Sequence, residues 1–213
     1  MAIITRGAFR PAMKSFPNIL TIGRLVLTLA VLVCLSVQRP DWLRSQLQAW
    51  AFFAFVIASI TDFFDGWLAR KFNAESLLGA ILDPIADKAL VAGAIVGLLA
   101  SGQSSIALPC GLILFREFAV SALRETLAPK GLRLPVTFLA KCKTTLQLVA
   151  LGLLMFLQSG PGIEQIIPGT AGLGLPCYIR PPVWALGLLW LATAVTLWTG
   201  IEYALSARKA LRT

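Results

Sequence analysis

Four aspartates stand where an apolar chain has least reason to carry them: Asp62 and Asp65, then Asp83 and Asp87. The first pair is spaced by three residues and the second by four, so on helices each pair shares one face. The short polar stretch at 70–76 separates the pairs and lets the two faces meet. The chain has no histidine, and carboxylates gathered without histidine or cysteine make a hard-oxygen site. Mg²⁺, Mn²⁺ or Ca²⁺ fits such a site. Two divalent ions would cancel the charge of all the aspartates, and paired ions are a recurring arrangement for displacement at phosphorus. The alternative is a set of aspartates solvated at a membrane surface; one pair alone favours it, and two facing pairs do not. Gly66, Ala69 and Gly79 fall on the same faces, where small residues let a ligand or another helix come close.

These aspartates need helices to hold them, and those helices need a membrane. Of 213 residues, 57% are hydrophobic and 14% are charged, against roughly 25% charged in a soluble domain. Runs of about 20 apolar residues can span a bilayer. Six occur, at 18–37, 48–68, 80–100, 106–127, 138–158 and 182–205. They predict an all-α, polytopic membrane protein of six transmembrane helices and a single domain over 1–213. Polar or Gly/Pro-rich stretches near 38–41, 70–76, 101–105, 129–135 and 160–182 separate them. An aspartate at a helix centre costs about 2.5–3.5 kcal/mol in a bilayer, so four cost roughly 10–14 kcal/mol, a sum comparable to the stability of a whole domain. A bound counter-charge would offset it. The four cysteines, Cys34, Cys110, Cys142 and Cys177, form no CxxC pair, which leaves apolar packing rather than a zinc site.

The net charge of +9 suits nucleic acid or an anionic membrane face, and its placement decides for the membrane. Arg6, Arg10, Lys14, Arg70, Lys71, Lys130, Arg133, Arg208, Lys209 and Arg212 fall on one side of the spans. Only Arg39, Arg44 and Arg180 fall on the other. The positive-inside rule then puts both termini and the carboxylate turn in the cytoplasm, with 160–182 outside.

The run Asp62-Phe-Phe-Asp65-Gly66-Trp-Leu-Ala69-Arg70, eight residues, then Gly79-Ala-Ile-Leu-Asp83-Pro-Ile-Ala-Asp87 resembles the signature of the CDP-alcohol phosphotransferase family, DxxDGxxARx₈GxxxDxxxD. It matches at every defined position, and eight fixed residues make the motif specific. The resemblance implies that family's six-helix membrane fold. It also implies that Asp62, Asp65, Asp83 and Asp87 hold two Mg²⁺ or Mn²⁺ ions, with Asp83 and Asp87 catalytic and Asp87 in the position of the general base. Asn18, Thr21, Asp62, Gly66, Ala69, Arg70 and Gly79 match positions about the cytidine nucleotide.

The likeness continues outside the signature. Pro17-Asn18-Ile-Leu-Thr21-Ile-Gly-Arg24, Arg116-Glu117 through Arg124-Glu125, Lys141-Cys-Lys143-Thr144-Thr145 and Thr196-Leu-Trp198 resemble the phosphatidylglycerophosphate-forming branch. The 160–182 stretch is the clearest departure. Read without the family, Arg116, Arg124, Lys141 and Lys143 lie within or beside apolar spans, where cations pair or bind anions. Glu117 and Glu125 could take some of them; arginine also suits bidentate phosphate binding. The resemblance implies an acceptor-phosphate pocket of Arg116, Arg124, Lys141, Lys143 and Thr144. Its substrates would be CDP-diacylglycerol and glycerol 3-phosphate, its products phosphatidylglycerophosphate and CMP. The setting would be a bacterial inner membrane with the active site on the cytoplasmic face, and the assembly a homodimer without nucleic acid. Relatives forming cardiolipin, phosphatidylserine or phosphatidylinositol phosphate share the signature. A divalent-cation transporter is the reading from another class, disfavoured because the aspartates gather at one membrane face and no inverted repeat is visible.

Overall fold

The structure, a computed structural model, describes residues 12–37, 40–72, 77–128, 138–167 and 180–211. Side chains are described from residue 20 on, except at 42, 63–72, 77–81, 138, 140–141 and 210. Among the described residues the chain is helical throughout. The long helices are α1 (Ala12–Ser36), α2 (Asp41–Phe72), α3 (Leu77–Ala100), α4 (Ala107–Leu127), α5 (Phe138–Ile166) and α6 (Val183–Ala210). Each coincides with one of the expected segments, to within one residue where α1, α4 and α6 fall short of it, and most run beyond it at one end or both. The largest difference is at α5, which continues through Pro161 to Ile166 into the stretch expected to be loop.

Packing explains that extension. Gly162 lies so close to α2 that a Cβ there would stand 1.8 Å from the Ser45 carbonyl oxygen. Gln46 Nε2 also donates to Gln165 Oε1 at 3.0 Å. Contacts to α2 thus hold the last turn of α5 in place, although Pro161 lacks the N–H that an uninterrupted helix would use. Cys177 and the remainder of the expected loop, 168–179, lie outside the described residues.

The bundle is built from close pairs: α1 against α2 and α3, α2 against α5, and α6 against α4 and α5. Its core is apolar, with Val31, Phe55, Ile95, Leu98, Ile113, Leu151, Leu154, Met155 and Leu189 all buried. At the end away from the aspartates, Arg44 Nη2 donates to the Ser101 carbonyl at 2.5 Å. Gln158 Nε2 donates to Ser101 Oγ at 2.9 Å. The chain then reverses at Gly102, whose φ of 101° is open to glycine and strained for other residues. A single 3₁₀ turn (Ser104–Ile106) leads into α4.

Polarity is inverted relative to a water-soluble bundle. Phe115, Phe118, Trp184, Trp198, Ile201 and Leu205 face outward, while Thr21, Arg24, Gln147, Thr196 and Thr199 are buried. In lipid an outward apolar side chain costs nothing, and polar side chains turn inward to find partners. Among the described residues four segments, not the expected six, are long and apolar enough to cross a bilayer: Leu43–Asp62, Ser104–Leu127, Cys142–Ile166 and Val183–Lys209. In α1 the apolar stretch Leu20–Ser36 is shorter, and α3 carries Asp83, Asp87 and Lys88 in its first half. The chain is a membrane protein on these grounds, with its polar residues turned inward.

Candidate active site

Asp62, Asp83 and Asp87 meet on α1. Thr21 and Arg24 are three residues apart and so share a face of that helix, which looks onto α2 and α3. Thr21 Oγ1 donates to Asp83 Oδ1 at 2.6 Å. Arg24 Nη1 lies 2.7 Å from Asp62 Oδ1 and donates to Asp87 Oδ1 at 2.8 Å. One guanidinium nitrogen therefore ties carboxylates from two helices, and it does so from a side chain only 1% exposed. The aspartates remain more open, Asp87 being 49% exposed, so the cluster is anchored from within and accessible from outside.

Asp62, Asp83 and Asp87 are thus brought together, as their spacing implied. The side chains of Asn18, Asp65, Gly66, Ala69, Arg70, Gly79 and Lys141 lie outside the described residues. Whether the cluster suits a divalent ion is a matter of donor chemistry. The Asp62 and Asp87 oxygens converge within hydrogen-bonding distance of one positively charged nitrogen, which is the disposition that carboxylates adopt around a cation. The donor set fits.

Next to this cluster a cavity of about 460 Å³ opens between α3, α4, α5 and α6. Pro84, Asp87, Lys88 and Val91 line it from α3, a helical face by their spacing of three and four. Arg116, Glu117, Ser121 and Arg124 line it from α4, Lys143, Thr144 and Gln147 from α5, and Tyr203 from α6. The expected acceptor residues Arg116, Arg124, Lys143 and Thr144 are therefore on one wall system, and Asp87 belongs to it.

The basic groups are held in two different ways. Glu117 accepts from Lys143, from Arg116 Nη1 at 3.3 Å and, more weakly, from Gln147 Nε2 at 3.4 Å. The internal ion pairing that the sequence left open thus exists, and two cations share one carboxylate. Arg124 differs. Its Nη2 donates to Tyr203 Oη at 2.6 Å, its guanidinium lies 4.9 Å from the centre of the Tyr203 ring, and among the described residues no carboxylate comes within 4 Å of it.

Helix α6 is the template for this arrangement. Thr199 Oγ1 accepts from Arg116 Nη2 at 2.9 Å, and Thr196 Oγ1 accepts from Gln147 Nε2 at 2.7 Å. Gly200 has no side chain where Arg116 lies: a Cβ there would stand 2.8 Å from Arg116 Cγ. Sequence reasoning noticed the Thr196-Leu-Trp198 string without giving it a role, and it missed Arg24, Lys88, Gln147, Thr199 and Tyr203 as site residues. A buried Arg24 within an apolar run was the signal available for one of them. For Tyr203 no local pattern existed.

An all-helical membrane bundle with aspartates at one end, beside a basic cavity, suits an enzyme that handles phosphate groups at a membrane. The family model for CDP-alcohol phosphatidyltransferases matches residues 14–199, and the chain belongs to that family. It is accordingly an enzyme. Among its relatives is the CDP-diacylglycerol–glycerol-3-phosphate 3-phosphatidyltransferase of Cereibacter sphaeroides, 42% identical over 92% of this chain and 96% of the relative. A protein of the same name from Rickettsia felis is 38% identical over 92% of this chain and 97% of its own length. One from Salmonella choleraesuis is 37% identical over 72% of this chain.

Proposed function

We propose that this enzyme transfers the phosphatidyl group of CDP-diacylglycerol to glycerol 3-phosphate, forming phosphatidylglycerophosphate and releasing CMP. The observation that carries this reading is the single cavity joining Asp87 to Arg116, Arg124 and Lys143. It offers a phosphorylated acceptor a cationic seat next to a carboxylate that can receive a proton. The names of the relatives over nearly the whole chain support the same reaction.

In this reading Asp62, Asp65, Asp83 and Asp87 would hold two divalent ions, Mg²⁺ or Mn²⁺, which when bound draw charge from the donor diphosphate and ease departure of CMP. Thr21 and Arg24 aim the carboxylates. Arg124, with the Arg116–Glu117–Lys143 group beside it, seats the acceptor phosphate and brings its free hydroxyl towards Asp87. Asp87 takes the hydroxyl proton. The oxygen then bonds to the phosphorus that carries diacylglycerol, and the bond from that phosphorus to the CMP oxygen breaks. Holding both partners in line removes much of the entropic barrier.

Purified protein supplied with CDP-diacylglycerol and a panel of glycerol 3-phosphate, serine, inositol phosphate and phosphatidylglycerol tests this directly. CMP release is expected with glycerol 3-phosphate well above the others. Preference for another acceptor overturns the substrate assignment while leaving family membership intact.

The active site and both termini face the cytoplasm of a bacterial inner membrane in this reading, supported by the basic residues on that side. In a variant stripped of native cysteines, Ser104→Cys is expected to react with an impermeant maleimide in intact cells. Ser76→Cys is expected to react only after permeabilisation. The opposite pattern reverses the orientation.

A further inference from the structure

The cavity contains one cation for which the acceptor reading has no use as it stands. Lys88 follows Asp87 on α3, yet its ammonium leans across to α4 and donates to Ser121 Oγ. Ser121 and Arg124 are three residues apart and share the α4 face that lines the cavity. Lys88 and Arg124 thus approach the same space from two helices.

Charge distinguishes this pair from the other two cations. Arg116 and Lys143 already share Glu117. Arg124 rests on the Tyr203 hydroxyl and Lys88 on the Ser121 hydroxyl, both neutral partners. Among the described residues neither has a carboxylate within 4 Å. A partly buried ammonium within a membrane bundle calls for an anion, and a phosphomonoester brings close to two negative charges at neutral pH. One hydroxyl leaves the ammonium with further donors to offer.

We propose that Lys88 is a ligand of the acceptor phosphate, gripping it together with Arg124, while Ser121 is the positioning residue that turns the lysine away from Asp87 and into the cavity. This rests on the acceptor reading above and adds a residue that it does not contain. The direction of the lean selects acceptor over donor. Lys88 reaches away from the carboxylate cluster, where the donor diphosphate would lie, and towards the helix that carries Arg124.

The test compares wild type, K88Q, K88R and S121A in detergent, measuring KM for glycerol 3-phosphate, KM for CDP-diacylglycerol and competitive inhibition by inorganic phosphate. K88Q is expected to raise the acceptor KM about 10–150-fold, as for loss of one charged hydrogen bond. Phosphate inhibition should weaken in parallel, and the donor KM should hold. K88R should recover part of the loss. S121A keeps the lysine and should move the acceptor KM in the same direction by about 2–12-fold; it carries the test should K88Q fail to insert. An unchanged acceptor KM in K88Q, or an equal rise in both KM values, overturns the role of Lys88 alone. A wild-type enzyme that ignores glycerol 3-phosphate overturns the acceptor reading and the role of Lys88 with it.

Discussion

Asp87→Asn is expected to lower CMP release by about 10²–10⁴-fold, the range for loss of a positioned general base. Asn keeps the shape of the side chain and can still accept from Arg24 Nη1, which Asp87 meets at 2.8 Å, so the helix packing survives the change. What it loses is the negative charge and the ability to take the acceptor proton. Asp83→Asn separates those two losses. Its Oδ1 can still accept from Thr21, and it sits one helical turn before Asp87, so a fall of similar size there points to charge at the metal cluster rather than to the base. Chelation with EDTA should match the loss in Asp83→Asn, and added Mg²⁺ or Mn²⁺ should restore wild type but neither variant. Activity close to wild type in EDTA would sink the metal reading. Size-exclusion profiles of the purified variants establish that each is folded, and rates are compared only among those that are.

The second large effect is expected at the basic wall. Arg124→Ala should raise the KM for glycerol 3-phosphate by about 10–150-fold, since a hydrogen bond to a charged group contributes about 1.5–3 kcal/mol. Binding of CDP-diacylglycerol should change little. Arg124 has neutral partners on the protein side, so its removal strands no carboxylate. Lys143→Ala is a different experiment, because it also takes a partner from the largely buried Glu117. Breaking a buried ion pair from one side costs about 3–5 kcal/mol, an upper bound here because Arg116 and Gln147 still reach Glu117. The prediction is therefore that Lys143→Ala loses both acceptor affinity and thermal stability, and that Arg124→Ala loses affinity alone. The two are told apart by pairing steady-state kinetics with melting temperatures in the same detergent. If Arg124→Ala leaves the acceptor KM where it was, the phosphate is seated elsewhere.

Much of this protein could be read from its order of residues. Apolar runs located the six long helices, although among the described residues only four segments are long and apolar enough to cross a bilayer, because a span demands a minimum length and tolerates little charge. The carboxylate faces followed from spacing alone, since residues three and four apart on a helix are neighbours whatever surrounds them. Chemistry followed from residue type: aspartates without histidine leave few kinds of ligand. Even the basic wall was foreseen in part, because Arg116, Arg124 and Lys143 stand out against their apolar surroundings.

The partners across helices were decided only in three dimensions. Nothing local links Arg24 to Asp62 and Asp87, or Glu117 to Lys143, or Tyr203 to Arg124; each contact depends on how one helix is rotated and shifted against another. Side-chain reach decides as much. Lys88 is next to Asp87 in the chain but extends to α4, and Arg116 lies along α6 because Gly200 leaves the room. The same holds for the end of α5, where Pro161 and Gly162 look like a loop until α2 is placed beside them. Spacing along one helix is set by covalent geometry, and the sequence determines it. Pairing between helices is set by packing and by the need of each buried charge for a partner, and the tertiary structure decides it.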